Sequence, residues 1–143
     1  MATFFLDAVV LGVKSYPADF SATLAPCDLA LGWGQMSDAS VLQKIVVTQE
    51  NRFYYWRYWG SAPIPENEIT TQSANMHIIP GTLAVAETLP LLHRGHVVHL
   101  AGILVNAVHP EADKPWKTSL SRGDVGPGAC EIFYVTALEV APE

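Results

Sequence analysis

The chain has 143 residues, of which half are hydrophobic and 15% are charged, so it can bury the core of one domain and lacks the composition of a disordered protein. Its formal net charge is −6, and no two of its eight Lys and Arg residues are adjacent, which argues against nucleic acid as a partner. We predict a single globular domain over residues 1–143, without a cofactor.

Strand patterns dominate the first half of the chain. The apolar run at the start is interrupted by Asp7 and is too short to cross a bilayer, so it predicts a strand instead. Side chains that can cap a helix precede a short apolar segment near residue 40. The predicted elements are, in chain order, a strand over 4–16, a long irregular connection over 17–38, a short helix capped by Ser37 or Asp38, and a hairpin of strands 45–49 and 52–59.

The second half combines one main helix with further strands. The predicted elements are a turn with at most one helical turn over 61–72, a strand over 74–79, a helix over 82–92, and strands over 95–108, 116–122 and 130–140. Residues 97–105, VVHLAGILV, show little polar alternation, which predicts a central strand buried on both faces.

This order of elements predicts a mostly-β (α+β) fold. Strands outnumber helices, and helices do not alternate with strands as they do in a parallel sheet. We expect a small antiparallel barrel, OB-like or SH3-like, with one main helix and a long irregular connection.

Residues 51–60, NRFYYWRYWG, contain six aromatic rings. In a strand, alternate residues face opposite ways, which divides the stretch into two sets: Phe53, Tyr55, Arg57 and Trp59, and Arg52, Tyr54, Trp56 and Tyr58. Either both sets are packed, or one is an open platform for a base, a sugar or a partner's side chain. We expect Tyr55 and Trp59 to be packed, with Arg57 against one of their rings or against an acid at Glu66 or Glu68. Tyr54 and Tyr58 are then the accessible rings.

A nucleophile and a base are suggested by Cys130 and His77. A thiol must be deprotonated to attack, and an imidazole oriented by Asn75 or Ser73 could take its proton. Residues 73, 75 and 77 share one face of a strand, which permits this grouping. The alternative is that Cys130 is a small buried residue and His77 a core histidine bonded to a carbonyl. Cys130 is not expected to form a disulfide with Cys27.

Three histidines, at positions 93, 96 and 99, lie close in sequence but lack a converging third ligand, so we predict no metal site. Residues 121–128, SRGDVGPG, could bind an anion through exposed amides beside Arg122. The alternative is a structural loop held by Arg122 and Asp124. Trp33 lies between two glycines and is expected to close one end of the barrel.

Three stretches are distinctive in composition: DLALGWGQMSD at 28–38, SANMHIIP at 73–80 and SLSRGDVGPGACE at 119–131. With these the chain resembles, over about residues 5–140, a family of uncharacterised bacterial proteins that carry similar stretches in the same order. The resemblance implies no activity. It implies a periplasmic or membrane-anchored location through a segment absent from this chain, with a cytoplasmic location as the alternative. Cys130 matches the family pattern, whereas Cys27 stands where an aliphatic residue is expected.

Together these observations favour an accessory or binding module over an enzyme. Its partner would be an unknown protein or small molecule, and the candidate binding residues are Trp33, Tyr54, Tyr58, Arg122 and Asp124. The alternative is a Cys-His hydrolase or transferase that uses Cys130 and His77, with Asn75 or Ser73 in support.

Overall fold

The computed structural model describes residues 2–15, 27–50, 53–104 and 131–142. The strands are β1 (Ala2–Ser15), β2 (Cys27–Gly32), β3 (Ile45–Glu50), β4 (Phe53–Tyr58), β5 (Ser73–Pro80), β6 (Val97–Leu104) and β7 (Glu131–Val140). The helices are α1 (Ala39–Leu42), α2 (Glu66–Thr71) and α3 (Leu83–Thr88), and there are 3₁₀ turns at Gly34–Ser37 and Leu89–Leu91.

Five strands close a barrel in the order β1-β2-β5-β7-β6, and β3 and β4 form a separate two-stranded sheet. Neighbouring barrel strands are antiparallel, except that β5 and β7 are parallel. β1 pairs with β6 from Ala2 to Val9 and with β2 from Val9 to Ser15, and an irregularity after Val10 bends it between these partners. The prediction of a small, mostly-β barrel is confirmed.

Two hydrophobic cores lie on opposite faces of β2. The barrel interior contains large side chains such as Leu29, Met76 and Phe133. The second core lies between the outer face of β1, β2 and β5 and the β3–β4 hairpin, and it contains Ala30, Met36, Ile45, Ile64 and Ile69 among others. The hairpin therefore covers a face of the barrel that solvent would otherwise reach.

The structure corrects two predictions about strands. Residues 17–38 are not irregular throughout, because β2 spans Cys27–Gly32 and all six of its residues are buried. Because both faces of β2 are covered, its sequence shows little polar alternation, and the nearby glycines and prolines indicate a loop instead of a strand.

The expectation that 97–105 is buried on both faces is wrong, since β6 alternates between buried and more exposed residues and Val97 is 42% exposed. Val97, Ala101 and Ile103 are apolar residues at outward positions of β6, so the alternation in burial is not visible as an alternation of polar and apolar residues.

Other predictions hold with small changes. Asp38 caps α1 by accepting a hydrogen bond from the Ser40 amide at 2.8 Å. The Ser40 hydroxyl also donates to this carboxylate, and these two bonds lower the pKa of Asp38. The main helix is shorter than predicted, because α3 ends at Thr88 and Pro90 falls in a 3₁₀ turn. The predicted strand 116–122 lies outside the described residues.

No helix in the described part of the chain is both long and apolar enough to cross a membrane.

Candidate functional site

A group of polar side chains is buried between the barrel and the hairpin. Asp28 and His77 are register partners on β2 and β5, and Nδ1 of His77 lies 2.8 Å from Oδ1 of Asp28, with the two side chains 2% and 0% exposed. Asn75 donates to the other Asp28 oxygen at 3.2 Å. Gln49 of β3 donates to the Asn75 side-chain oxygen at 2.9 Å. We call Asp28, Gln49, Asn75 and His77 the polar cluster.

The two-residue period of the strands explains this placement. Asp28 lies on the same outward face of the barrel as Asn75 and His77, while Leu29 and Met76 point into the barrel core. The hairpin packs over that outward face and removes it from water. Since a buried charged or polar group is costly unless it is hydrogen-bonded, the bonds within the cluster offset the cost of placing it there.

The Asp28 carboxylate gives His77 a defined chemical state. A carboxylate beside Nδ1 favours a ring that carries a proton on Nδ1.

The structure brings together part of the predicted catalytic group. His77 and Asn75 meet at Asp28, which takes the orienting role that was expected of Asn75 or Ser73. Ser73 bonds elsewhere, since its hydroxyl donates to the Ile69 carbonyl at 2.6 Å. Cys130, the predicted nucleophile, lies outside the described residues.

Asp28 and Gln49 were not identified from the sequence. Asp28 is the only charged residue of CDLALG, and a charged residue in an otherwise apolar strand is a signal for a buried polar partner. The glycines and prolines around this segment indicate an irregular connection, and in such a connection a charged residue is ordinary. Gln49 carried no comparable signal, because a polar residue near a hairpin turn is ordinary.

The second candidate surface is the outer face of the hairpin, formed by Phe53, Tyr55, Arg57 and Trp59. Tyr55 is 52% exposed and Trp59 is 69% exposed. The guanidinium carbon of Arg57 lies 5.9 Å from the centroid of a Trp59 ring, which confirms the expected contact between this cation and a neighbouring ring. The expectation that Tyr55 and Trp59 are packed is wrong.

The opposite face of β4 explains this reversal. Tyr54, Trp56 and Tyr58 are half-buried and pack against the second core. The Tyr54 hydroxyl lies 2.9 Å from the Ser73 hydroxyl. Tyr58 donates to the Glu66 carboxylate, and this hydrogen bond is the main cause that raises the pKa of Tyr58. The prediction that Tyr54 and Tyr58 are the accessible rings is therefore also wrong, because the barrel itself covers their face.

The remaining predicted binding residues divide between the described and undescribed parts of the chain. Trp33 is half-buried and packs against the barrel core, and its amide donates to the Gln72 carbonyl at 2.9 Å. Arg122 and Asp124 lie outside the described residues.

The histidines outside the polar cluster form pairs. The rings of His93 and His96 lie 3.7 Å apart between centroids. His99 faces Asp7 across β1 and β6, with Nδ1 2.6 Å from the carboxylate, and the two side chains are 46% and 80% exposed. Within the residues that the structure describes, no three potential metal ligands come together.

No family model, curated protein or solved structure matches this chain. The resemblance to a family of uncharacterised bacterial proteins therefore stays a prediction.

Proposed function

We propose that this protein is an accessory module that binds a partner protein through the outer face of its β3–β4 hairpin. The observation that carries the proposal is the exposure of Tyr55 on β4 and of Trp59 directly after its end, with the Arg57 guanidinium 5.9 Å from a Trp59 ring. Large rings that stay in water are not explained by the fold, because the core is formed by the opposite face of the same strand.

The composition of this face favours a protein partner. Tyr, Trp and Arg are the residue types that dominate binding energy at protein interfaces. Small-molecule sites are concave, whereas this surface is the outer side of a two-stranded sheet. Nucleic acid is disfavoured by the net charge of −6 and by a single cation on the face, which offers little to a phosphate backbone.

The position of the hairpin supports the same proposal. We infer that the barrel is OB-like, because helix α3 lies between the third and fourth barrel strands in chain order. OB barrels bind ligands on the outer face of their second and third strands. Here those strands are β2 and β5, and the hairpin covers them. The hairpin would thus carry the binding surface outward, onto its own exposed side.

Site-specific photocrosslinking tests the proposal. A photoreactive p-benzoylphenylalanine at Trp59 should give a discrete adduct with one protein in cells that naturally produce this chain. The same group at Leu83, which is 74% exposed on α3, is the matched control and should not. Tyr55→Ala in the Trp59-labelled protein should remove the adduct. Identical adducts at both positions, or none at Trp59, would contradict a docking role for this face.

A stability comparison checks that the rings are not needed for folding. Trp59→Ala should change the free energy of unfolding by no more than about 0.5 kcal/mol, as for an ordinary surface residue. Trp56→Ala on the packed face should cost about 2 kcal/mol or more, because truncating a fully buried Trp costs about 3–5 kcal/mol. Equal losses for the two variants would make the outer ring structural.

One observation favours the alternative function, a Cys-His hydrolase or transferase. Asp28 holds His77 in the geometry of an oriented base, and Glu131, which follows Cys130 in sequence, pairs with Met76 next to His77. If Cys130 is activated, iodoacetamide should alkylate it near pH 6 much faster than it alkylates Cys27, and Asp28→Asn should slow that reaction. Equal, slow alkylation of the two thiols would exclude the enzyme.

A further inference from the structure

A groove of about 410 Å³ opens at the end of the barrel where β1 exchanges β6 for β2 as its partner. One wall is the 3₁₀ turn and helix α1, and the other is the turn that leads into β6. Apolar contacts come from Val9, Leu42 and Val97, and polar groups from Ser37, Gln43 and Arg94. Its volume lies within the range of small-molecule sites, about 300–1,000 Å³.

The Arg94 guanidinium at this groove donates to main-chain carbonyl oxygens. Its Nη2 donates to the carbonyls of Leu42 at 3.0 Å and Ile45 at 3.2 Å, and Nη1 lies 3.5 Å from the Leu11 carbonyl. These acceptors are neutral, and among the described residues no carboxylate forms an ion pair with Arg94. A guanidinium has more N–H donors than these bonds use, so Arg94 keeps both its charge and some donor capacity for a ligand.

The acid nearest to the groove in sequence does not offset this charge. Asp38 lies between Ser37 and Ala39, which both line the groove. Its carboxylate accepts bonds from the amide and the hydroxyl of Ser40, both at the start of α1. The local donors thus already stabilise the negative charge of Asp38, while the Arg94 guanidinium bonds to carbonyl oxygens within the described part of the chain.

We propose that this groove binds a small apolar anion, such as a medium-chain or aromatic carboxylate. The apolar body lies against Val9, Leu42 and Val97, and the anionic group meets the guanidinium of Arg94. A neutral ligand of the same shape forgoes the charged bond, and a cation is repelled. The site shares no residue with the outer face of the hairpin, so it is independent of the proposed docking function.

Titration with sodium octanoate, followed by ¹H–¹⁵N NMR, tests the proposal. We expect saturable shifts, with an apparent Kd below about 10 mM, at Ala39, Gln43, Arg94 and Val97. Octanol, the neutral probe, should bind at least about tenfold more weakly, which corresponds to about 1.4 kcal/mol. 8-Anilinonaphthalene-1-sulfonate should be displaced by octanoate in the same concentration range.

Two variants of one exposed residue provide the matched control. Val97→Asp places a carboxylate in the groove and should weaken octanoate binding at least about tenfold, by competing for Arg94 and repelling the anion. Val97→Asn loses the same apolar contact without adding a charge, so it should bind octanoate at least about threefold more tightly than Val97→Asp does. Both should fold, since Val97 is partly exposed and its backbone bonds are retained.

Four results would overturn the proposal. Octanol binding as tightly as octanoate would mean an apolar surface without an anion site. Shifts confined to the hairpin would place binding elsewhere. Equal effects of Val97→Asp and Val97→Asn on octanoate binding would show that charge does not determine the affinity. NMR shifts that do not saturate with octanoate would show that the groove is not a specific binding site.

Discussion

Replacing Asp28 by alanine should strongly destabilise the protein, because it removes the centre of the polar cluster. Nδ1 of His77, 2.8 Å away, and Nδ2 of Asn75, 3.2 Å away, both lose the carboxylate oxygens they bond. Leaving a buried donor without this partner costs about 1–3 kcal/mol, so the loss from the two donors together should be about 2–6 kcal/mol. That is a large share of the roughly 5–15 kcal/mol that stabilises an ordinary domain.

The chain contains a matched control for this experiment. Asp7 and His99 form the same kind of cross-strand pair, with a shorter contact of 2.6 Å, but in an exposed position. Exposed pairs contribute about 0–1 kcal/mol, so Asp7→Ala should have little effect. Both variants remove an aspartate side chain from a histidine partner, but Asp28 is buried and also accepts a hydrogen bond from Asn75.

Urea unfolding followed by circular dichroism measures both variants. Asp28→Asn, which keeps the shape and one acceptor oxygen, should lose less than Asp28→Ala, about 1–3 kcal/mol. A loss below about 1 kcal/mol for Asp28→Ala, or a loss equal to that of Asp7→Ala, would refute the reasoning that burial makes this pair decisive.

Three further predictions concern a core leucine, the two cysteines and one tyrosine. Leu104→Ala should cost about 2–5 kcal/mol in urea unfolding, since Leu104 is buried in the barrel core, and a loss under about 1 kcal/mol would contradict that packing. Cys27 and Cys130 should remain thiols. In mass spectrometry without a reductant, a linked pair of peptides from these two sites, lighter by two hydrogens than the separate peptides, would contradict this. Tyr58 should ionise above its ordinary pH near 10, so the stabilisation from its bond to Glu66 is present below that pH and is lost as pH rises through the raised pKa. Glu66→Ala should return the Tyr58 titration, followed by NMR, to the ordinary range.

Much of the barrel could be predicted from local patterns. β1, the hairpin, β5 and β7 are marked by β-branched and aromatic residues and by turn residues at their ends, and these signals act over a few neighbours. The cap of α1 at Asp38 is local for the same reason, since the side chain bonds an amide two residues away.

The candidate sites depended on contacts between distant parts of the chain. The sequence places His77 and Asn75 on one face of a strand, but the carboxylate that they meet is 49 and 47 positions away, respectively. A strand pattern shows which residues share a face, without showing what covers that face. The two-residue period of a strand divides the aromatic stretch correctly into two sets, but the prediction of which set is exposed is wrong.

The physical reason is that burial is decided by packing and not by the strand itself. Alternation in β4 is a property of the backbone, so it can be read from the sequence alone. Whether Tyr54 or Tyr55 faces water depends on where the hairpin lies, and it lies with Tyr54 against the barrel and Tyr55 away from it. The groove at Arg94 is likewise decided by tertiary packing. Its walls come from β1, α1 and the turn before β6, which are distant in sequence and come together in the folded barrel.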